Sequence, residues 1–247
     1  MLFLLPPSES KAKGGGALTL DRVALTFGTL TAARDAVRAA YESANPGVDV
    51  LNAPTMPAID RYDGTLFGAI HGRGLKGSTT EHNSLGAAER ERAKDLLFIQ
   101  SALFGLIPAS NLIPAYKLSA GASLPGLVSP DSGARATLRG VWADAHPSVF
   151  KRLADSAPLI DLRSRAYAEL APIPDGIESF WVEVLDADSG KALNHFNKKS
   201  KGELVRAVLQ AAEAPRSIAD LADVAAGAGM RLTVDEAAPG RLLLFAR

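Results

Sequence analysis

"LFLLPPSESKAKGGG", residues 2–16, begins with four apolar residues without alternation, then two prolines and a polar loop that ends in glycines. A strand with one wet face alternates apolar and polar side chains, whereas an unbroken apolar run suits a strand covered on both faces. Prolines cannot continue a central ladder, so the strand ends at Leu5. The stretch therefore predicts an interior strand that delivers a loop carrying Lys11 and Lys13 to a sheet edge. Loops in that position often build sites, because a rigid edge aims their side chains. Gly14, Gly15 and Gly16 read as a flexible connector.

The same logic extends along the chain. "TLTAARDAVRAAYESANPG" predicts a helix with Ala33, Val37, Ala40 and Tyr41 on one face, stopped by Asn45-Pro46-Gly47. "APTMPAIDRYDGTLFGAI" predicts a loop, a turn at Asp63-Gly64 and a short helix or strand. "SLGAAERERAKDLLF" predicts a charged helix capped by Ser84, and "LLFIQSALFGL" opens as a buried strand. "ATLRGVWADAHPSVFKRLADS" predicts two helical pieces broken near Pro147, and "LIDL", residues 159–162, another buried strand followed by a helix. "IESFWVEVLDADSGKALNHF" predicts a hairpin about Asp186–Gly190, and "MRLTVDEAAPGRLLLFAR" a closing hairpin. Ser217 and Asp220 have the spacing of a capping box. Strands and helices mix without strict alternation. The expected fold is α+β, one compact domain over residues 1–247, with a mixed β-sheet flanked by helices.

Composition narrows the chemistry. The 247 residues contain 27 Lys+Arg and 27 Asp+Glu, so net charge gives no sign of a nucleic-acid partner, yet permits a basic cleft balanced by an acidic back. There is no cysteine, which excludes disulfides, thiolate metal sites and a peroxidatic thiol. No spaced histidine cluster is present; His71, Glu81 and His82 are a weak candidate set, so the expectation is no metal and no cofactor. The apolar start is too short for a signal peptide or a membrane span, which predicts a cytoplasmic protein without membrane contact.

"NHFNKKSKGELVRAVLQAA", from Asn194, sets three lysines before an apolar stripe of Leu204, Val205, Val208, Leu209 and Ala212. Cations are mildly unfavourable at a helix N-terminus. Lys198, Lys199 and Lys201 therefore read either as a solvated turn or as a cluster that joins the free helix amides on a phosphate. Ser200 and Glu203 are spaced as a capping box, which predicts a helix start at Ser200.

Five stretches, in order, resemble the YaaA-like peroxide-stress family: "MLFLLPPSESK", "YDGTLFGAI", "SALFGLIPASNLIPAYKLSAG", "LIDLRSRAYAEL" and "FNKKSKGELVRAVL". Phe104 stands where that family usually has Tyr, and Lys117 where it has Arg, which keeps charge but loses the bidentate fork. The resemblance implies a cytosolic protein of the peroxide response, a mixed α/β fold and a positively charged cleft that binds DNA. A helix-hairpin-helix contributes to binding in better-known members; here the region between Leu20 and Tyr62 is shortened, and "NPGVDV" is the nearest hairpin candidate.

The matched blocks gather Ser8, Lys11, Tyr62, Lys117, Arg163, Tyr167, Lys198, Lys199 and Lys201 as candidate phosphate contacts, with Lys11, Lys117 and Lys199 expected around one cleft. The expected partner is the DNA backbone, contacted by a monomer. The alternative is an enzyme acting on a nucleic-acid, phosphorylated or nucleotide substrate in that cleft, using Ser8, Glu9, Lys11, Tyr62, Asp63 and Asp161. No complete catalytic motif accompanies them.

Overall fold

Leu2–Leu5 form strand β1, and all four residues are buried. Phe3 and Leu5 face one apolar cluster; Leu2 and Leu4 face a second, which contains Phe98, Phe150 and Leu153. Each such side chain contributes ~1.5–3 kcal/mol over exposure, which is why the run does not alternate. The structure, a computed structural model, describes residues 1–73, 85–191 and 197–246.

Along the chain follow α1 (Thr31–Ala44), β2 (Met56–Pro57), α2 (Ala58–Arg61), α3 (Thr65–Ile70), α4 (Ala87–Leu96), β3 (Leu97–Ser101), β4 (Gly105–Pro108) and β5 (Leu112–Ile113). The second half contains α5 (Leu138–Ala145), α6 (Pro147–Ala154), β6 (Leu159–Asp161), α7 (Arg165–Leu170), β7 (Ser179–Asp186), α8 (Asn197–Gln210), α9 (Ile218–Gly227), β8 (Arg231–Val234) and β9 (Arg241–Ala246). The main sheet has the order β4-β3-β1-β6-β7-β9-β8, and β2 with β5 make a small antiparallel pair. β3, β1, β6, β7 and β9 run parallel, while β4 and β8 are antiparallel edges. This is the expected single domain with a mixed sheet flanked by helices.

Local signals acted as read at several points. Ala33, Val37, Ala40 and Tyr41 of α1 are buried. The break at Pro147 separates α5 from α6. The Ser217–Asp220 box forms: Ser217 Oγ accepts from the Asp220 amide at 3.1 Å and the Asp220 carboxylate accepts from the Ser217 amide at 3.0 Å. β8 and β9 make the closing hairpin.

Other expectations need correction. Gly14–Gly16 are not a loose connector. Arg61, fully buried, donates to the carbonyls of Gly14 and Pro54 at 3.0 Å each and of Ile113 at 3.1 Å, and also to Ala12. Gly16 N donates to Thr55 O at 2.8 Å, and a Cβ on Gly15 would lie 2.9 Å from the Pro54 carbonyl carbon. Asn45-Pro46-Gly47 ends α1, but residues 45–57 hold no second helix, so "NPGVDV" is not a helix-hairpin-helix. The turn at Asp186–Gly190 exists, with Ser189 N 2.7 Å from Asp186 Oδ1. β7 pairs with β6 and β9, both in parallel; the expected return strand falls largely on residues 192–196, outside the described residues. Ser84 also lies outside them, and α4 begins after Gly86.

The lysine helix, α8, starts at Asn197 instead of Ser200. Ser200 is already inside it, and Glu203 pairs with Lys199 at 3.3 Å, so the expected Ser200–Glu203 box does not form. Leu204, Val205, Val208 and Leu209 of the predicted stripe are buried, but Ala212 lies beyond the end of α8 and is exposed. Gly202 brings α8 onto α3: a Cβ there would lie 2.3 Å from Leu66 O and 2.7 Å from Ala69 Cβ. Arg92 of α4 closes the other end, donating to Leu209 O at 2.9 Å and to Ala211 O. A half-buried guanidinium thus satisfies carbonyls that the helix leaves open.

Candidate functional site

β1 is flanked by β3 on one side and β6 on the other, so the chain order reverses there. In open parallel sheets the crevice at the carboxyl ends beside such a reversal is the usual ligand position. Two groups of polar side chains occupy this edge.

The first lies over β1 and β3. Lys11 Nζ donates to Glu9 O at 3.2 Å and sits 4.3 Å from the ring centroid of Tyr116 and 5.8 Å from that of Tyr62. Tyr62 Oη and Tyr116 Oη are 2.8 Å apart, and Tyr116 Oη is 2.8 Å from Ser101 Oγ. Ser101 Oγ accepts from the amides of Leu103 and Phe104 at 3.1 and 3.0 Å, so its own proton goes to Tyr116. That directs the Tyr116 proton to Tyr62. Burial raises the phenol pKa of both tyrosines well above the ordinary range, so both stay neutral. Burial also pushes Tyr167 up to about 12, against a backbone hydrogen bond with Ala120 and with Glu9 adding to the rise. Desolvation lowers Lys11 to about 8, opposed by Glu9. Ser8 donates to Ser10 O and Ser10 to Asp63 O, which ties the β1 loop to the turn before α3.

The second group is a cleft of about 900 Å³ over β6 and β7. Pro6 at the end of β1, Asp161, Trp181 and Glu183 form its sheet side; α3 lends Leu66, α7 Arg165 and Glu169, α8 Lys198 and Lys201, and α5 Arg139. Arg139, Arg165 and Lys198 are exposed on its walls. Arg241 holds Glu183 at 3.1 Å and also pairs with Asp235.

At the end of β6, Asp161 and Arg163 are 4% and 1% exposed. Arg163 grips the carboxylate through Nε at 2.9 Å and Nη2 at 2.7 Å, and donates Nη1 to Ala171 O at 2.8 Å. With all three guanidinium nitrogens engaged and its face 5.3 Å from the Phe150 ring centroid, Arg163 fixes the β6–α7 loop. Truncating one member of such a buried pair costs ~3–5 kcal/mol, because the other charge is stranded.

Lys201 is 4% exposed. Its Nζ donates to Leu162 O at 3.2 Å and lies 5.2 Å from the Trp181 ring centroid. Desolvation lowers its pKa to about 8, while Asp161 and Glu183 pull it upward. A cleft lysine in that range carries a substantial neutral fraction near physiological pH, unlike a solvated one.

The nine sequence candidates therefore separate. Arg163, Lys198 and Lys201 line the cleft. Lys11 and Tyr62 join the tyrosine group, and Tyr167 lies on α7. Ser8 serves the loop. Lys117 is exposed, and its backbone amide donates to Tyr41 Oη at 3.0 Å. Lys199 turns along α8 to Glu203. Lys11, Lys117 and Lys199 are not among the residues that line this cleft. Sequence reasoning missed Arg139, Arg165, Trp181 and Gly202. Only Gly202 carried a signal, as a lone glycine inside a helical pattern.

Among the described residues no three or more His, Asp or Glu side chains are grouped to hold a metal. His71 Nε2 lies 3.0 Å from Ile59 O and 3.8 Å from Asp60; Glu81 and His82 are outside the described residues. No helix among the described residues is long and apolar enough to cross a membrane.

Residues 17–232 match the family described as peroxide stress protein YaaA. Similar chains include UPF0246 protein CE1889 of Corynebacterium efficiens, 31% identical over 255 residues, covering 96% of each chain. UPF0246 protein Cgl1995/cg2186 of Corynebacterium glutamicum is 34% identical over 250 residues, 93% of this chain and 94% of the relative. UPF0246 protein SCO2297 of Streptomyces coelicolor is 31% identical over 265 residues, 97% and 95%.

Proposed function

We propose, from the premise that the chain belongs to the peroxide stress protein YaaA family, that it serves the peroxide response in the cytoplasm by holding DNA phosphates at the cleft over β6 and β7. One observation carries the reading. Arg139, Arg165 and Lys198 come from three different helices, are exposed, and line the same concave surface. Their long side chains aim charge outward without a fixed base-reading geometry, which suits backbone contact more than sequence readout. Lys199 is left out of that set because it does not line the cleft and turns to Glu203 instead.

The test is a salt titration of duplex binding. Each phosphate contact contributes roughly 0.9 to the slope of log affinity on log salt. Changing Arg139, Arg165 and Lys198 together to Gln should flatten the slope by between two and three units, with melting temperature unchanged. Lys199→Gln should leave it as it is. An unchanged slope in the triple variant would overturn the assignment.

A further inference from the structure

Lys201 is not accounted for by backbone binding. It lines the cleft but is only 4% exposed, whereas Arg139, Arg165 and Lys198 are exposed. Its ammonium makes no ion pair within 4 Å among the described residues. It rests on a carbonyl, Leu162 O at 3.2 Å, and on the face of Trp181. Arg163 takes up the Asp161 carboxylate and Arg241 the Glu183 carboxylate, so neither acid is committed to the ammonium. Both still lie near enough to act on it electrostatically.

We infer that Lys201 is a carbonyl-reactive amine, and that the cleft takes a phosphorylated aldehyde whose phosphate lies on the rim cations and whose carbonyl carbon reaches Nζ beside Trp181. The part played by the rim rests on the phosphate reading above. Desolvation, which brings the ammonium down to about 8, supplies the neutral amine that the step requires. Its nitrogen lone pair adds to the carbonyl carbon, and the C=O π pair moves to oxygen. The two nitrogen protons end on that oxygen, water leaves, and a C=N bond joins lysine to ligand with no change of oxidation state. The neutral imine nitrogen then takes one proton from solvent, and Asp161 and Glu183 provide the negative field that holds the resulting cation.

The test is reductive trapping on the intact protein. Pyridoxal 5′-phosphate is the free phosphorylated aldehyde, and a duplex with one base-free deoxyribose is the polymeric one. Borohydride delivers hydride to the imine carbon and leaves a secondary amine that survives digestion and can be mapped. Lys201 should be modified at least several-fold more than the exposed Lys198, inorganic phosphate should compete, and Lys201→Arg should lose the adduct. The mapping uses the parent protein, so the result stands whatever the variant does to folding. Adducts spread over surface lysines, with Lys201 no higher than the rest, would overturn the inference even if the rim variants kept their predicted salt slopes. Equal trapping of pyridoxal without its phosphate would keep the amine and remove the phosphate reading. Trapping by the small aldehyde alone assigns a free metabolite; trapping by the duplex as well assigns a DNA-borne aldehyde.

Discussion

Gly202→Ala tests the packing that positions both cleft lysines. A methyl at this position would meet Leu66 O at 2.3 Å and Ala69 Cβ at 2.7 Å. Leu66 belongs to α3, and its carbonyl is fixed by helical backbone, so it cannot rotate aside as a side-chain tip would. Ordinary contact begins near 3.4 Å, which requires α8 to retreat by roughly 1 Å. That retreat opens a gap along buried Leu204, Val205 and Val208 and forfeits a quarter to a half of those dispersion wells. Overpacking of this kind costs about 1–3 kcal/mol, and the better helix propensity of alanine returns at most about 1. The net expectation is a loss of about 1 kcal/mol, or a melting temperature lower by roughly 2–4 °C for a chain of this size. Urea and thermal unfolding read it directly. Because Lys198 and Lys201 ride on α8, duplex affinity should fall as well, even at temperatures where the variant is fully folded. A variant as stable as the parent, or more stable, would show that propensity wins and that the close approach of α8 to α3 is not required.

Two further perturbations probe buried polar groups. His146 is fully buried; its Nδ1 donates to Trp142 O at 2.7 Å and its Nε2 accepts the Leu106 amide at 3.1 Å, and burial lowers its pKa to about 4. Below its unfolded value of 6.5 the unfolded chain takes up a proton that the native state refuses, so this contribution is complete above that pH and is lost as pH falls toward 4. The loss is about 3 kcal/mol in all; urea midpoints measured at descending pH, with the imidazole followed by NMR, should show it, and a ring that titrates near its ordinary value in the native state would contradict the assignment. Arg61→Met should cost about 3 kcal/mol and expose residues 12–16 to faster proteolysis, because carbonyls of Ala12, Gly14, Pro54 and Ile113 lose one shared donor. Arg61→Lys should not rescue it, since one ammonium cannot span the four carbonyls; full stability in the lysine variant would refute the stapling role.

Interior strands, helix faces and caps were legible in the sequence because each depends on neighbours within a few positions. The unalternating Leu2–Leu5, the α1 face, the Ser217–Asp220 box and the break at Pro147 are all of this kind. Family membership was legible too, since ordered blocks are a property of the chain. The start of α8 was not: the Ser200–Glu203 spacing gave a valid local signal, but the helix extends to Asn197, and Glu203 pairs with Lys199.

The site was decided almost wholly by tertiary structure. Lys198, Lys199 and Lys201 look equivalent on the page, yet one is exposed in the cleft, one is paired on the helix surface and one is buried. Helical rotation separates their directions, but the difference in environment comes from groups far off in sequence: Leu162 and Trp181 receive Lys201, and the packing of Gly202 on Leu66 sets its depth. Arg139 and Arg165 likewise become neighbours of Lys198 only when α5, α7 and α8 converge on the edge of β6 and β7. The glycine run gained its rigidity from Arg61, more than forty residues away. Sequence determined the periodicities and the order of elements, which are local. Burial, the partner of each charge and the convergence of the cleft depend on where distant segments meet, and only the tertiary structure decided those.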